Sequence, residues 1–77
     1  MTKTEFASQI EKILEAPAGT VAMSTPLADL DGWDSLAMLG FIAMADSHLG
    51  ASVSVGQLAK CKSVGELAAL FPGKVEA

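Results

Sequence analysis

The segment with the most chemical potential is residues 27–39, LADLDGWDSLAML, in which Ser35 directly follows Asp34. Breaker residues precede the serine and an apolar run follows it, so Ser35 is predicted to lie where a loop passes into a helix. The first turn of a helix presents unpaired N–H groups and a partial positive charge, which stabilise a phosphate ester. Taken alone, however, the Asp-Ser-Leu triplet favours a simpler interpretation, in which Asp34 or Ser35 only caps the helix.

Other polar residues suggest chemistry at first sight, but their spacing does not support it. His48 lies thirteen residues from Ser35 on the same predicted helix, a separation of about 20 Å that excludes a nucleophile–base pair. A calcium loop that began at Asp29 would need glycine at its sixth position and glutamate at its twelfth. The sequence has Asp34 and Gly40 there. We therefore expect no catalytic residue and no metal site.

The composition limits the class of protein. The 77 residues predict one domain, residues 1–77, with a core over about 3–71 and a flexible tail over 72–77. The net charge is −4, there is no arginine, and all five lysines lie outside residues 13–59, which argues against a nucleic-acid partner. No run of 18 apolar residues exists, so no membrane span is expected. The single cysteine, Cys61, cannot form an internal disulfide, which argues against a secreted disulfide-rich protein. We expect a monomer in the cytoplasm.

The apolar periodicity predicts four helices, three of which begin with capping-box spacing. The three pairs are Thr2 with Glu5, Ser54 with Gln57, and Ser63 with Glu66. The first helix is predicted to present Phe6, Ile10, Ile13 and Leu14 on one face and to end at Pro17 and Gly19. The short third helix is predicted to end near Lys60. The last helix carries Val64, Leu67, Leu70 and Phe71 and is ended by Pro72-Gly73.

A long loop and an unusually apolar second helix complete the predicted order. The loop over residues 16–34 contains four apolar residues that are expected to attach it to the core: Val21, Met23, Leu27 and Leu30. The second helix is predicted to begin at Asp34 or Ser35 and to end near Leu49, with Gly50 as its C-terminal cap. Five of its residues are predicted to face inward: Leu36, Leu39, Ile42, Ala43 and Ala45. Met38, Phe41 and Met44 widen its apolar surface, so part of this helix is covered by the loop or offered to a partner.

The segment around Ser35 resembles the attachment motif of the acyl carrier protein family, an acidic-leucine-glycine loop followed by Asp-Ser-Leu. The matching residues are Leu27, Asp29, Leu30, Gly32, Asp34, Ser35 and Leu36. The resemblance extends over nearly the whole chain, because the helices and the long loop follow the family's order and spacing. The string GWDSLAML is most similar to carriers of discrete biosynthetic systems, including type II polyketide carriers, in which an aromatic residue often occupies the position of Trp33. The fold implied is an all-α, four-helix bundle with a long first loop and a short third helix.

The resemblance implies a prosthetic group and its partners. A phosphopantetheinyl transferase would move 4′-phosphopantetheine from coenzyme A onto the Ser35 hydroxyl, and the terminal thiol would hold acyl groups as thioesters. The chain itself would not be an enzyme, because the acyl-loading and acyl-processing enzymes of its pathway would act on the tethered group. Beside Ser35, the residues assigned to the attachment site are Asp34, Leu36 and Gly32. Asp34 would cap the helix, and Gly32 would permit a tight turn before it.

The second helix departs from the family at the positions where many fatty-acid carriers place acids. These positions are Ala37, Gly40, Asp46 and Ser47, of which only Asp46 is acidic. We therefore expect partner enzymes to dock on an apolar patch around Met38, Gly40 and Phe41, bordered by Asp31, Trp33 and Asp46. The alternatives are that Met38 and Phe41 belong to the core, that Gly40 packs against another helix, and that Trp33 anchors the loop.

The functional interpretation is a carrier of acyl intermediates for fatty acid, polyketide or related specialised biosynthesis. One alternative is a peptidyl or aminoacyl carrier, which would use the same arm. Another is a non-catalytic helical interaction module in which Asp-Ser-Leu serves only as a helix cap.

Overall fold

The computed structural model describes residues 1–76. The chain folds into four α-helices, and no β-strand occurs within that range. The helices are α1 (Lys3–Leu14), α2 (Ser35–Met44), α3 (Val55–Ala59) and α4 (Val64–Ala69). A short 3₁₀ turn (Leu27–Asp29) interrupts the long loop between α1 and α2. A π-helical turn (Ala45–Leu49) continues α2 to Gly50, which adopts φ 60°. The predicted all-α fold, with a long first loop and a short third helix, is confirmed.

Side-chain caps explain where the helices begin. The Thr2 hydroxyl accepts a hydrogen bond from the Glu5 backbone N–H at 3.1 Å, and the Glu5 carboxylate accepts one from the Thr2 backbone N–H at 2.8 Å. These hydrogen bonds from Thr2 lower the pKa of Glu5. The same reciprocal pair joins Ser54 and Gln57 at the start of α3. At α4 only half of the predicted capping box forms, because the Glu66 carboxylate lies near the Ser63 hydroxyl rather than the Ser63 backbone.

Helix α1 ends where the sequence predicted, just before the loop that begins at residue 16. Its last residue is Leu14, and Glu15 adopts the left-handed conformation with φ 56°. The following Ala16 donates its N–H to the Glu11 carbonyl at 2.8 Å. Pro17 disfavours the helical conformation at the residue before it, so the helix stops ahead of the proline.

The long loop is attached to the helices at two places. Near its start, the Glu11 carboxylate accepts hydrogen bonds from the backbone N–H groups of Gly19 (2.9 Å) and Val21 (3.0 Å). Further along, Leu27 donates its N–H to the Lys62 carbonyl at 2.8 Å, which joins the loop to the start of α4. The predicted apolar attachments are confirmed, because Val21, Leu27 and Leu30 are buried in the core and Met23 is half-buried and packs against it. The loop is therefore a fixed support for the start of α2.

Aromatic rings fill the centre of the bundle. The Phe6 and Phe41 rings meet edge-to-face, with centroids 5.8 Å apart, and Phe71 packs against both. Trp33 lies edge-to-face on Phe41 at 5.9 Å, so the loop just before α2 is packed on the same cluster. Such pairs stabilise a core beyond their buried area.

The inward face of α2 differs from the prediction. The buried residues of α2 are Ala37, Phe41 and Met44, none of which was predicted to face inward, while Ala45 in the π-helical turn is buried as predicted. Leu36, Leu39 and Ala43 are exposed, so their predicted inward orientation is wrong, and Ile42 is half-buried. Because α2 is apolar on all sides, its sequence does not reveal which side is inward, and the fit of the Phe41 ring into the aromatic cluster decides it.

The segment after α4 pairs with the start of the chain. Helix α4 ends at Ala69, slightly before the predicted Pro72-Gly73 stop. Lys3 donates its N–H to the Glu76 carbonyl at 2.7 Å, and Glu76 donates to the Met1 carbonyl at 2.9 Å. Residues 74–76 of the expected flexible tail are thus joined to residues 1–3, while Ala77 lies outside the described residues. No helix within residues 1–76 is long and apolar enough to cross a membrane.

Candidate functional site

Ser35 is the first residue of α2, and its side chain is exposed. The cap is supplied by Asp34, whose Oδ1 accepts a hydrogen bond from the Ala37 N–H at 3.0 Å. The Asp34 carbonyl accepts the first intrahelical bond, from the Met38 N–H at 2.9 Å. Since Asp34 performs the capping, the Ser35 hydroxyl is not required for it and is open to modification.

Gly32 turns the chain into the start of α2. Its φ is +85°, a left-handed conformation that residues with a side chain rarely adopt. The Asp34 N–H donates to the Gly32 carbonyl at 2.9 Å, which closes the turn. A Cβ at this position would come no nearer than 3.8 Å to the Leu14 side chain, so backbone conformation, not lack of space, requires the glycine.

The charges around Ser35 are negative except for the helix itself. Asp29, Asp31, Asp34 and Glu15 are all exposed, whereas every lysine of the chain lies outside residues 13–59. The first N–H groups of α2 have no intrahelical acceptor and carry partial positive charge, so they favour a phosphate at Ser35. An exposed hydroxyl on a helix N-terminus, with its cap supplied by the preceding residue, fits a phosphodiester-linked group.

The structure separates the predicted docking residues into buried and exposed ones. Phe41 has no exposed surface, so its assignment to a docking patch is wrong: its ring lies inside the aromatic cluster. Met38 and Trp33 are half-buried and pack against the core, as their alternative interpretation held. Gly40 lies against α1, where a Cβ would come 3.4 Å from Ile13 Cγ2, so the alternative of helix–helix packing describes it. Asp31 and Asp46 are exposed.

Two exposed leucines beside Ser35 were missed as surface residues. Leu36 is 77% exposed and Leu39 is 57% exposed, and both follow Ser35 on α2. Phe41 is the bulkiest side chain of α2, and placing it inward turns Leu36 and Leu39 outward by helical geometry. The bulk of Phe41 was therefore the feature of the sequence from which the exposure of Leu36 and Leu39 could have been predicted.

His48 and Cys61 lie away from this arrangement. His48 is exposed in the π-helical turn, at the opposite end of α2 from Ser35. Cys61 is half-buried, and its thiol lies 3.5 Å from the Gln57 carbonyl. Burial raises the pKa of the Cys61 thiol, and the nearby Glu66 raises it further. No group of three or more His, Cys, Asp or Glu side chains within residues 1–76 is arranged to hold a metal ion.

Comparison with known proteins agrees with this geometry. The family model described as "Phosphopantetheine attachment site" matches residues 4–71. A solution structure of holo acyl carrier protein from Geobacter metallireducens is similar at 27% sequence identity and a TM-score of 0.72. The match covers 91% of this chain and 80% of that one. No curated protein sequence matches the chain significantly.

The family match spans both the loop that positions Ser35 and the four helices that surround it. The prosthetic group of such domains is covalently attached 4′-phosphopantetheine, for which the exposed hydroxyl at the start of α2 offers a suitable attachment point. The chain is thus a member of the acyl carrier protein family, with a phosphopantetheine attachment domain that occupies most of its length.

Proposed function

We propose that the protein is an acyl carrier whose Ser35 hydroxyl bears the phosphopantetheine arm. The observation that carries the proposal is the exposed Ser35 side chain on the first residue of α2, directly after the capping Asp34. When attached, the arm supplies a terminal thiol that holds an acyl group as a thioester. The pathway we propose is fatty acid, polyketide or related specialised biosynthesis.

The residues around Ser35 have separate roles in accepting the arm. A phosphopantetheinyl transferase forms the bond between phosphorus and Ser35 Oγ, while the bond to the nucleotide part of coenzyme A breaks and the hydroxyl proton leaves. Asp34 fixes the start of α2, since its carboxylate is bound to the Ala37 N–H. Gly32 sets the turn that presents Ser35 to the transferase. The chain performs no bond chemistry of its own, so we infer that it is not an enzyme.

Partner enzymes dock, in this proposal, on Leu36 and Leu39 rather than on Phe41. The two leucines are exposed beside Ser35, whereas Phe41 is buried. Asp31 and Asp46 are exposed carboxylates that add a smaller attraction for basic partners. Because the contact is mainly apolar, the KM of the transferase for the unmodified chain should change little between low and moderate salt. A steep rise in KM with salt would contradict the apolar docking surface.

The test of attachment is the intact mass after incubation with coenzyme A, magnesium and a broad-specificity transferase. The expected result is a gain of one phosphopantetheine in the unaltered chain and none in Ser35→Ala. Ser47→Ala is the matched control, since it removes another exposed serine hydroxyl from the same helical segment and should keep the gain. No gain with several transferases would instead support the interaction-module alternative.

The class of cargo needs a second experiment, because a peptidyl or aminoacyl carrier would gain the same mass. The modified chain is offered acyl and aminoacyl donors with their loading enzymes, and the thioester formed is identified by mass. We expect acyl loading. We also propose that the chain acts as a monomer in the cytoplasm, where a lone cysteine such as Cys61 stays reduced.

A further inference from the structure

An open groove of about 620 Å³ runs between the C-terminal end of α1 and the N-terminal half of α2. Its apolar lining includes Ile13 and Leu14 from α1 and Leu39 from α2, and Glu15 is also among its lining residues. Its volume is within the range of sites that hold small molecules. The groove is thus large enough and apolar enough to hold the uncharged part of an organic ligand.

The groove begins beside Ser35. Asp34 and Leu36, the two chain neighbours of Ser35, both line it. Gly40 lines it as well, at the point where α2 packs on Ile13 of α1 and a Cβ would lie 3.4 Å from the Ile13 Cγ2 atom. A group attached to Ser35 therefore starts at the edge of a ready-made apolar surface.

The phosphopantetheine arm has chemical groups that suit this surface. A geminal dimethyl group follows the phosphate, and two amides come next, with N–H groups that need acceptors. Ile13, Leu14 and Leu39 offer apolar contact for the methyl groups, and the exposed Glu15 supplies a carboxylate that can accept from an amide N–H. Covalent attachment gives such a group a millimolar effective concentration, so weak contacts suffice to seat it.

We infer that this α1–α2 groove holds the arm of the modified protein, with the geminal dimethyl group against Ile13, Leu14 and Leu39. The inference rests on the attachment to Ser35 proposed above. It assigns the exposed Leu39 a contact within the same molecule, in addition to any contact with a partner enzyme.

The test is an isotope-filtered NMR experiment on the modified protein, after its mass confirms loading. The expected result is a set of cross-peaks between the geminal methyl protons of the arm and the methyl groups of Ile13, Leu14 and Leu39. Cross-peaks with Val55 or Leu58 of α3 instead, or none with any protein methyl, would overturn the groove assignment. A missing mass gain would count against attachment itself, so the two proposals fail by different observations.

A pair of variants tests the contact from the protein side. Leu39→Gln makes the groove polar, and since Leu39 is 57% exposed the fold should persist. This change should abolish the cross-peaks to Ile13 and Leu14. Val55→Gln is the matched control, because Val55 is 42% exposed and is not among the groove residues, and it should leave the cross-peaks intact. If Leu39→Gln kept the cross-peaks to Ile13 and Leu14, and its amide spectrum showed a folded chain, the proposal would be refuted.

Discussion

The Glu11 carboxylate of α1 accepts a hydrogen bond from the backbone N–H of Val21 at 3.0 Å, and both residues are buried. The same oxygen accepts a second hydrogen bond, from Gly19. Burying a carboxylate costs free energy unless it is hydrogen-bonded. This pair connects α1 to the first part of the long loop, at a position where neither group has water to replace its partner.

Glu11→Ala should therefore destabilise the protein. The Val21 N–H would remain buried without its acceptor, at a cost of about 2 kcal/mol in the free energy of unfolding. Glu11→Gln keeps an acceptor oxygen and should lose less. Urea unfolding followed by circular dichroism measures both. Lys12→Ala, an exposed neighbour on α1, should stay within about 0.5 kcal/mol of the unaltered protein, and an equally small effect of Glu11→Ala would show that the loop does not depend on this carboxylate.

Phe41→Ala should lower the free energy of unfolding far more than Leu39→Ala, although both substitutions remove a large apolar side chain from α2. Phe41 is fully buried among aromatic rings, so its truncation should cost about 3–5 kcal/mol. Leu39 is mostly exposed, and its truncation should cost less than about 1 kcal/mol. The free energies of unfolding of the two variants, measured in urea, test this difference. Comparable losses in both would mean that the inward face of α2 is not the one described.

Gly32→Ala should destabilise the turn before Ser35. The backbone there has φ +85°, and a side chain in that conformation costs about 1 kcal/mol or more. Gly56→Ala is the matched control: Gly56 lies within α3, where a Cβ would meet only the Ser54 hydroxyl, at 3.7 Å. That change should stabilise the protein by up to about 1 kcal/mol. A destabilisation by Gly56→Ala as large as that of Gly32→Ala would remove the conformational explanation.

Asp34→Ala should weaken the start of α2 by about 1 kcal/mol, because the Ala37 N–H loses its acceptor. Asp34→Asn keeps a capping oxygen and should retain most of the stability. Asp31→Ala removes a neighbouring exposed carboxylate that is not a cap, and it controls for the change in local charge. Thermal unfolding compares the three. Equal midpoints for Asp34→Ala and Asp31→Ala would argue against the cap.

The thiol of Cys61 should react slowly with iodoacetamide near pH 8. Burial and the nearby Glu66 raise its pKa, so less thiolate is present than for an exposed cysteine. We expect the alkylation of Cys61 to be slower than that of the arm thiol in the modified protein. The Ser35→Ala variant has no hydroxyl to bear the arm, so its alkylation should show only the slow reaction of Cys61. Because the folded pKa of Cys61 lies above the unfolded one, the stabilising effect of the neutral thiol is present below the unfolded pKa and is lost as the pH rises through the folded pKa.

Local polar patterns predicted the helix starts well. The capping pairs Thr2–Glu5 and Ser54–Gln57 act within three residues, so the sequence alone defines them. The role of Asp34 beside Ser35 was predictable for the same reason. These interactions need no knowledge of how distant elements pack.

The remaining features depend on contacts between distant elements. From the sequence alone, a glutamate such as Glu11 on α1 is expected to be exposed to solvent. Only the packing of the loop shows that it is buried. The orientation of α2 was equally hidden, because its apolar residues occupy all sides and the aromatic cluster selects the face that holds Phe41. As a result Leu36 and Leu39, the exposed neighbours of Ser35, were assigned to the interior.

The pairing of Lys3 with Glu76 and of Glu76 with Met1 has a consequence for how the molecule opens. Chain ends usually fray independently, each on its own timescale. Here the first and last segments are each other's hydrogen-bonding partners, so release of either one frees both. The amide hydrogens of Lys3 and Glu76 should then exchange with deuterium at a shared rate, as one local opening event.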